Sequence, residues 1–256
     1  MPYLNAEAST NDNALRFGGV ARLYGAGGLQ RLLQASVCVV GLGGVGSWAA
    51  EALARSAVGQ LTLVDLDDVC VSNVNRQLQA LDGAIGRPKV NVMAERIHAI
   101  HPACRVRAVA EFFTESTAEE ILESRFDFVV DAIDQVANKC LLIARCRQRG
   151  IPIVSAGGAG GRRNPAAIRV ADLAQTSRDA LLQQVRKRLR DEHGFARDPK
   201  APFGVPCVFS TEPPEPPAGG CPGRVTCDNG YGTASFVTGT FGLVAASCVV
   251  AKIAAP

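Results

Sequence analysis

The 256-residue chain has no Gly-x-x-x-x-Gly-Lys-Ser/Thr run and therefore no P-loop, so any triphosphate it binds must be neutralised by cations placed elsewhere. It has no Cys-x-x-Cys pair, and its three histidines (His98, His101, His193) stand in no ligand spacing with cysteine, so a structural zinc site lacks support and no zinc is expected. Aromatic residues make up 5% with a single Trp, which argues against a lectin-like or aromatic-caged binder. Charge is nearly balanced, with 27 basic and 24 acidic side chains, so the overall charge does not by itself imply nucleic-acid binding. The nine cysteines are odd in number and irregularly spaced, and no signal-peptide pattern precedes them. A reducing cytoplasm is the expected setting. What the chain has in quantity is apolar residues, 47% against 20% charged. That composition excludes wholesale disorder and suits an ordinary buried core.

Residues 1 to 13 are small and polar and are expected to fray. From Ser36 an apolar run (Val37 to Val40) meets a glycine-rich turn and an Ala-rich helical stretch (Val45 to Ala57), followed by a second apolar run, Leu61 to Asp65. A helix reads from about Arg87, with Pro88 suited to its first turn, to His101-Pro102. The alternation then repeats: strand Val106 to Ala110, helix Ser116 to Ser124, strand Phe126 to Asp131, helix Val136 to Gly150, strand Ile151 to Ser155. Strict alternation predicts a doubly wound, Rossmann-like α/β fold, with a mostly parallel sheet and helices on both faces.

After Gly157 the texture changes to Gly157-Gly158-Ala159-Gly160-Gly161, a strand at Ala167 to Val170 and a basic helix at about Ser177 to Arg190. Residues 198–232 hold eight of the fourteen prolines and read as a flexible loop. Ser235 to Ile253 is apolar enough to suggest a membrane span. Its Thr238, Gly239, Thr240, Gly242 and Ser247, and the lack of basic or aromatic anchors, favour a helix buried in the core, with peripheral membrane contact as the alternative. The whole, 1–256, reads as one domain with a nucleotide-binding core at 14–170.

Gly41-Leu42-Gly43-Gly44-Val45-Gly46-Ser47 places Gly-x-Gly-x-x-Gly between a strand and a helix, and Asp65 ends the next strand. Glycines let backbone N-H groups approach phosphate at a helix N-terminus, and the carboxylate receives ribose hydroxyls. The motif does not say which nucleotide. Downstream stand Asp65-Leu66-Asp67-Asp68, then Ser72-Asn73-Val74-Asn75-Arg76-Gln77, then Lys89. An ATP triphosphate needs such cations because its charge must be neutralised before a carboxylate can attack, whereas a redox Rossmann domain has no general need of them. In the bland alternative, Arg76 only pairs with Asp67 and Lys89 is a solvated helix residue. Asp134 lies just past a strand at the carboxyl edge of the sheet, where one carboxylate suits Mg2+. Asp131, nearer the strand, suits capping of the following turn.

Together, Gly-x-Gly-Gly-x-Gly-Ser, Asp65, Ser-Asn-x-x-Arg-Gln at 72–77, Pro88-Lys89-Val90 and Asp131-Ala-Ile-Asp134 resemble the ATP-binding set of the ubiquitin-activating-type adenylating enzymes, the ThiF/MoeB superfamily. The resemblance implies that Gly41, Gly43, Gly44, Gly46 and Ser47 hold adenosine and phosphates, and that Asp65 takes the ribose. It assigns Asn73, Arg76, Gln77 and Lys89 to the triphosphate and Asp134 to Mg2+, with Arg76, Lys89 and Asp134 the catalytic candidates. It also implies a reaction in which a carboxylate attacks the α-phosphate.

Arg16 to Gly25, the 155–161 run, Cys207 to Glu212, Gly230 to Ala234 and Phe241 to Val244 further resemble the branch of that superfamily that dehydrates threonylcarbamoyladenosine in tRNA. That branch implies ATP-dependent activation of the threonine carboxylate beside the anticodon and closure to a cyclic hydantoin. It also implies a homodimer and a link to a cysteine desulfurase with a sulfur acceptor. Many relatives carry an N-terminal arginine that reaches the partner subunit's ATP. Gly19 stands at that position, with Arg16 and Arg22 as neighbouring candidates.

Some superfamily members pass the acyl group to a cysteine, for which Cys207 and Cys227 lie in the right half of the chain, although a ring-forming nitrogen needs none. From Gly161 to Arg190 eight basic residues face two acidic ones. Arg162, Arg163, Arg186, Lys187 and Arg190 are either solvated charge or contacts to tRNA phosphates. Two rivals stay open: adenylation of the Gly-Gly tail of a sulfur-carrier protein, and a non-catalytic ATP-binding sulfur-relay scaffold.

Overall fold

The computed structural model describes residues 6–198, 200–216 and 231–256. Its strands are β1 (Ser36–Val40), β2 (Gln60–Val64), β3 (Arg105–Val109), β4 (Phe128–Asp131), β5 (Ile153–Ala156), β6 (Ile168–Asp172) and β7 (Pro206–Ser210). They form one sheet in the order β3-β2-β1-β4-β5-β7-β6, parallel throughout except for the antiparallel pair β6–β7. The inner strands β1, β2 and β4 are buried on both faces, which is why they read as near-continuous apolar runs. The edges β3 and β6 are largely exposed and carry Arg105, Arg107 and Arg169, charges that discourage pairing with another chain.

Period-2 alternation sorts the strands into two cores. Val37, Val39, Phe128 and Val130 face α2 (Gly46–Arg55), α3 (Lys89–Ile100) and α7 (Ser235–Ala254). Cys38, Val40 and Val129 face α5 (Val136–Gln148) and α6 (Ala180–Glu192), with the short α4 (Ala118–Ile121) beside them. Each fully buried Val, Leu or Phe in these layers contributes roughly 1.5–3 kcal/mol.

The apolar α7 is a core helix lying along α2. Glycines of α7 let it approach α2 closely: Gly239 lies against the Trp48 ring, and a Cβ on Gly242 would stand 2.8 Å from the Ala49 nitrogen. Gly242→Val would therefore push the two helices apart. The stretch is long and apolar enough to cross a membrane, but half of it is buried inside the protein.

Three expectations need correction. Residues 6–13 are helical and open α1 (Ala6–Gln34), a long helical segment broken at Gly25 (φ 76°), while residues 1–5 lie outside the described residues. Its five glycines and exposed surface give it no clear pattern, since among its described side chains only Phe17, Leu29 and Leu32 are large buried apolar anchors. The 198–232 stretch is not a plain loop, because β7 lies inside it, between β5 and β6. What pins the preceding turn is Asp172, whose carboxylate accepts from the backbone nitrogens of Phe203, Gly204 and Val205 at 2.8–3.1 Å. The remainder, 217–230 with Cys221 and Cys227, lies outside the described residues. The basic helix starts later than Ser177, at Ala180, because Asp179 caps it through Leu182 N.

Candidate functional site

Strand order reverses between β1 and β4, and in open α/β sheets ligands bind beyond the strand ends at such a point. A cavity of about 1160 Å³ lies there. Gly41, Gly43, Gly44, Asp65, Asn73, Arg76, Gln77, Lys89 and Asp134 all line it, so four separated motifs and one lone aspartate meet in a single space. Gly41 (φ 90°) turns the chain against the β4 end, where a Cβ would approach the Ala132 carbonyl to 2.8 Å.

Two members of the glycine motif stand behind the wall. At Gly46 a Cβ would collide with the Gly41 carbonyl, so this glycine allows α2 to pack on the turn. Ser47 is fully buried, its hydroxyl accepting from Leu78 N at 3.3 Å, and it does not line the cavity. Its assignment to the nucleotide is corrected to one of support.

At the β2 end Asp65 accepts from Leu42 N (2.6 Å) and Asp67 N (2.9 Å). Burial lifts its carboxyl above the ordinary carboxylate range, with the Lys89 charge and those two amides pulling it back. Lys89 is not a solvated residue. Its Nζ lies 2.7 Å from Asp67 and 3.9 Å from Asp65, inside the cavity wall. Arg76 does not pair with Asp67. It donates to the Ser72 carbonyl (2.7 Å) and to Asn75 Oδ1 (3.0 Å), while its own carbonyl receives the Trp48 indole N-H at 3.1 Å. Asn73 is buried and accepts from Cys70 N at 3.0 Å, which orders the loop carrying Arg76. Gln77 accepts from Gln79 Nε2 at 3.3 Å. Asp134 is exposed just before α5.

Asp131 does cap the turn, accepting from Ile133 N at 3.1 Å. It also takes the Ser155 hydroxyl (2.6 Å) and the Lys139 ammonium (2.9 Å), and Lys139 in turn donates to the Ile133 carbonyl (2.8 Å). Both charges are 0% exposed. The turn carrying Asp134 is thus tied down from beneath by a lysine that motif reading missed. No local pattern marks it, since α5 mixes apolar and basic residues and the burial follows from Asp131 beneath it.

On the β5 side the cavity wall is Gly157 to Gly160, with Leu181 and Tyr231, and Phe112 stands on the β3 side. The glycine run is fixed by a buried pair: Asp179 takes Gly158 N (3.0 Å) and the Arg162 guanidinium (3.1 Å). Arg162 also donates to the Ser210 and Glu212 carbonyls (2.7 and 2.9 Å), so it is spent inside the protein and is not a tRNA contact. Of the other basic candidates, Arg163 is exposed and bridges Glu215 at 2.8 Å, and Lys187 is exposed. Arg186 is half-buried on the Thr176 hydroxyl, and Arg190 binds the Ala196 carbonyl (3.1 Å) above the Phe203 ring. Near the N-terminus Arg16 holds Asp12 at 2.6 Å and Arg22 is exposed; neither lines the cavity. Cys207 is buried with its thiol pushed well up by desolvation, which removes it as a nucleophile; Cys227 falls outside the described residues. Among the described residues no three His, Cys, Asp or Glu side chains form a metal cage. Mg2+ on a nucleotide needs only one or two carboxylates beside phosphate oxygens, so Asp134 fits that ion.

A family model, the ThiF family, matches residues 19–254. The tRNA threonylcarbamoyladenosine dehydratase of Escherichia coli (strain K12) is 48% identical over 251 residues, 94% of each chain. That of Haemophilus influenzae is 47% identical over 242 residues, 93% of each. The crystal structure of the E. coli tRNA N6-threonylcarbamoyladenosine dehydratase in complex with ATP superposes with a TM-score of 0.88 at 46% identity, covering 98% of this chain and 97% of that one.

Proposed function

The chain belongs to the ThiF family, and from that membership we infer that it uses ATP to dehydrate threonylcarbamoyladenosine in tRNA to the cyclic hydantoin form. The observation that carries this reading is the convergence of Gly41–Gly44, Asp65, Asn73, Arg76, Lys89 and Asp134 on one cavity at the strand-order reversal. Asp65, at the β2 end, accepts ribose hydroxyls, and the turn after β1 presents backbone N-H groups to the phosphates. The threonine carboxylate forms a bond to the α-phosphorus as the bond to the leaving pyrophosphate breaks. A nitrogen of the carbamoyl-adenine unit then attacks the activated carbonyl. AMP leaves carrying the carboxylate oxygen, and the nitrogen's proton passes to solvent.

Arg76 and Lys89 stabilise the charge that gathers on the phosphates, and being already held in place they need little reorganisation. Asp134 is the residue that would hold Mg2+, which supplies further neutralisation of the triphosphate. The buried Asp131–Lys139 pair fixes the backbone on which Asp134 stands.

Arg163, Lys187 and the half-buried Arg186 and Arg190 are proposed to meet tRNA phosphates, which positions the RNA without reading its sequence. A homodimer is proposed as the working unit, supported by the exposed Leu15 and Leu23 on α1 and Phe236 and Leu243 on α7; its test is the mass in solution by light scattering. For the reaction itself, purified protein is incubated with ATP, Mg2+ and tRNA bearing linear threonylcarbamoyladenosine, and the nucleosides are weighed. The expected product is lighter by one water with AMP released. AMP formation driven instead by a Gly-Gly-tailed carrier protein would overturn the reading.

A further inference from the structure

The cavity extends to both sides of the turn after β1, and the ATP-binding residues line that turn and the β2 side. Asp65 ends β2 and Phe112 follows β3, so the ribose and adenine of ATP belong on the β2–β3 side, with phosphates over the turn after β1. The β5 side, beyond Asp134, is walled by Gly157 to Gly160, Leu181, Thr233 and Tyr231, none of which belongs to the ATP-binding motifs.

Tyr231 is 46% exposed although it lines the cavity, and its position is determined by close packing. A Cβ on Gly160 would come within 2.9 Å of Tyr231 Cβ, and one on Gly161 (φ 73°) within 2.8 Å of its ring carbon Cδ1. The ring therefore rests on bare glycine backbone. The flanking chain is held on both sides: Gly161 N donates to the Gly232 carbonyl at 2.7 Å, and Asn75 Nδ2 donates to the Thr233 carbonyl at 3.0 Å. Asn75 also accepts from Arg76, so the segment carrying Tyr231 is tied to the loop that bears the phosphate-binding arginine.

Proteins that do chemistry on a nucleobase draw it out of its stack and receive it on aromatic faces. We propose that the Tyr231 ring, laid over Gly160 and Gly161, is the platform on which the adenine of threonylcarbamoyladenosine stacks while its carboxylate reaches the α-phosphate. The inference rests on the reading of the chain as a tRNA dehydratase and names the surface that receives its base. A phenyl ring serves as well as a phenol here. A branched aliphatic side chain fills the same space but offers no π face.

The test compares the wild-type protein with Tyr231→Phe, Tyr231→Leu and Tyr231→Ala, measuring dehydration of modified tRNA and, separately, ATP binding. Tyr231→Phe is expected to keep the wild-type KM for tRNA. Tyr231→Leu and Tyr231→Ala are expected to raise it roughly 5- to 100-fold, the loss produced by one base–aromatic stack. ATP affinity stays unchanged in all three. A wild-type KM in Tyr231→Ala, full rescue by Tyr231→Leu, or a loss that falls on ATP affinity would each overturn the proposal. Failure of the wild-type protein to dehydrate the tRNA would instead overturn the functional reading, and the platform with it.

Discussion

The ends of β2 and β4 are built from the same two residue types. At each, an aspartate closes the strand and a lysine from the following helix reaches back, Lys89 from the start of α3 and Lys139 from the first turn of α5. The difference lies in what remains to be bonded. Around Lys139 the Asp131 carboxylate is saturated by the ammonium, the Ser155 hydroxyl and Ile133 N, and the group is sealed from the cavity. Around Lys89 the partner Asp67 is 54% exposed and the ammonium faces the cavity. A saturated pair holds a shape, whereas a pair with an open side can transfer its bonds to a ligand.

The largest test of that contrast is Lys139→Met, which strands a buried carboxylate and is expected to cost about 3–5 kcal/mol in a urea denaturation curve. Adding Asp131→Asn should recover part of the loss, since the uncompensated charge is then gone. Next comes Lys89→Met. Turnover is expected to fall about 10²–10³-fold, while the loss of unfolding free energy is expected to be smaller than for Lys139→Met, because Asp67 is exposed and readily hydrated and the nearby Asp65 keeps its two amide hydrogen bonds. Equal destabilisation by the two substitutions would erase the distinction.

Asp134→Asn should leave folding intact and raise the Mg2+ concentration that gives half-maximal turnover. A smaller effect is expected from pH. Because burial holds the Asp65 carboxyl above its usual range, ATP affinity should weaken as pH falls through that raised value, at a pH above the ~3.9 of a free aspartate. Fluorescence of the single Trp, Trp48, bonded to the Arg76 carbonyl, is the natural reporter, and Asp65→Asn should flatten the slope. The smallest effect is expected from Lys187→Ala, which should lower the salt dependence of tRNA binding by about one unit of log–log slope and leave ATP affinity alone.

The alternation of apolar runs and helical stretches was legible because buried parallel strands leave continuous Val and Leu runs. So were the cavity residues, since phosphate and ribose binding demand particular residue types at fixed places along the chain. What stayed hidden depends on contacts between distant segments. Strand β7 sits among prolines, and only the three amide bonds from Phe203, Gly204 and Val205 to Asp172 reveal why the turn before it is ordered. Arg162 looked like surface charge until Asp179, seventeen residues on, proved to be its partner. Ser47 fits the phosphate motif in sequence, yet its hydroxyl points to Leu78 N. Lys139 lay in a helix of mixed polarity, where nothing local marks a lysine as buried.

The close fit of α7 on α2 has a consequence for synthesis. Thr238 touches the wall of the glycine turn, within 3.2 Å of where a Gly44 Cβ would lie, and its hydroxyl shares the Arg76 carbonyl with Trp48. A nascent chain that has reached Lys252 only in part already carries every recognisable nucleotide motif, yet lacks the helix that backs them. On the ribosome, competence to hold ATP should therefore switch on late and abruptly. Messages cut short after β7 should yield chains that every motif search would accept and that ATP would not rescue from proteolysis.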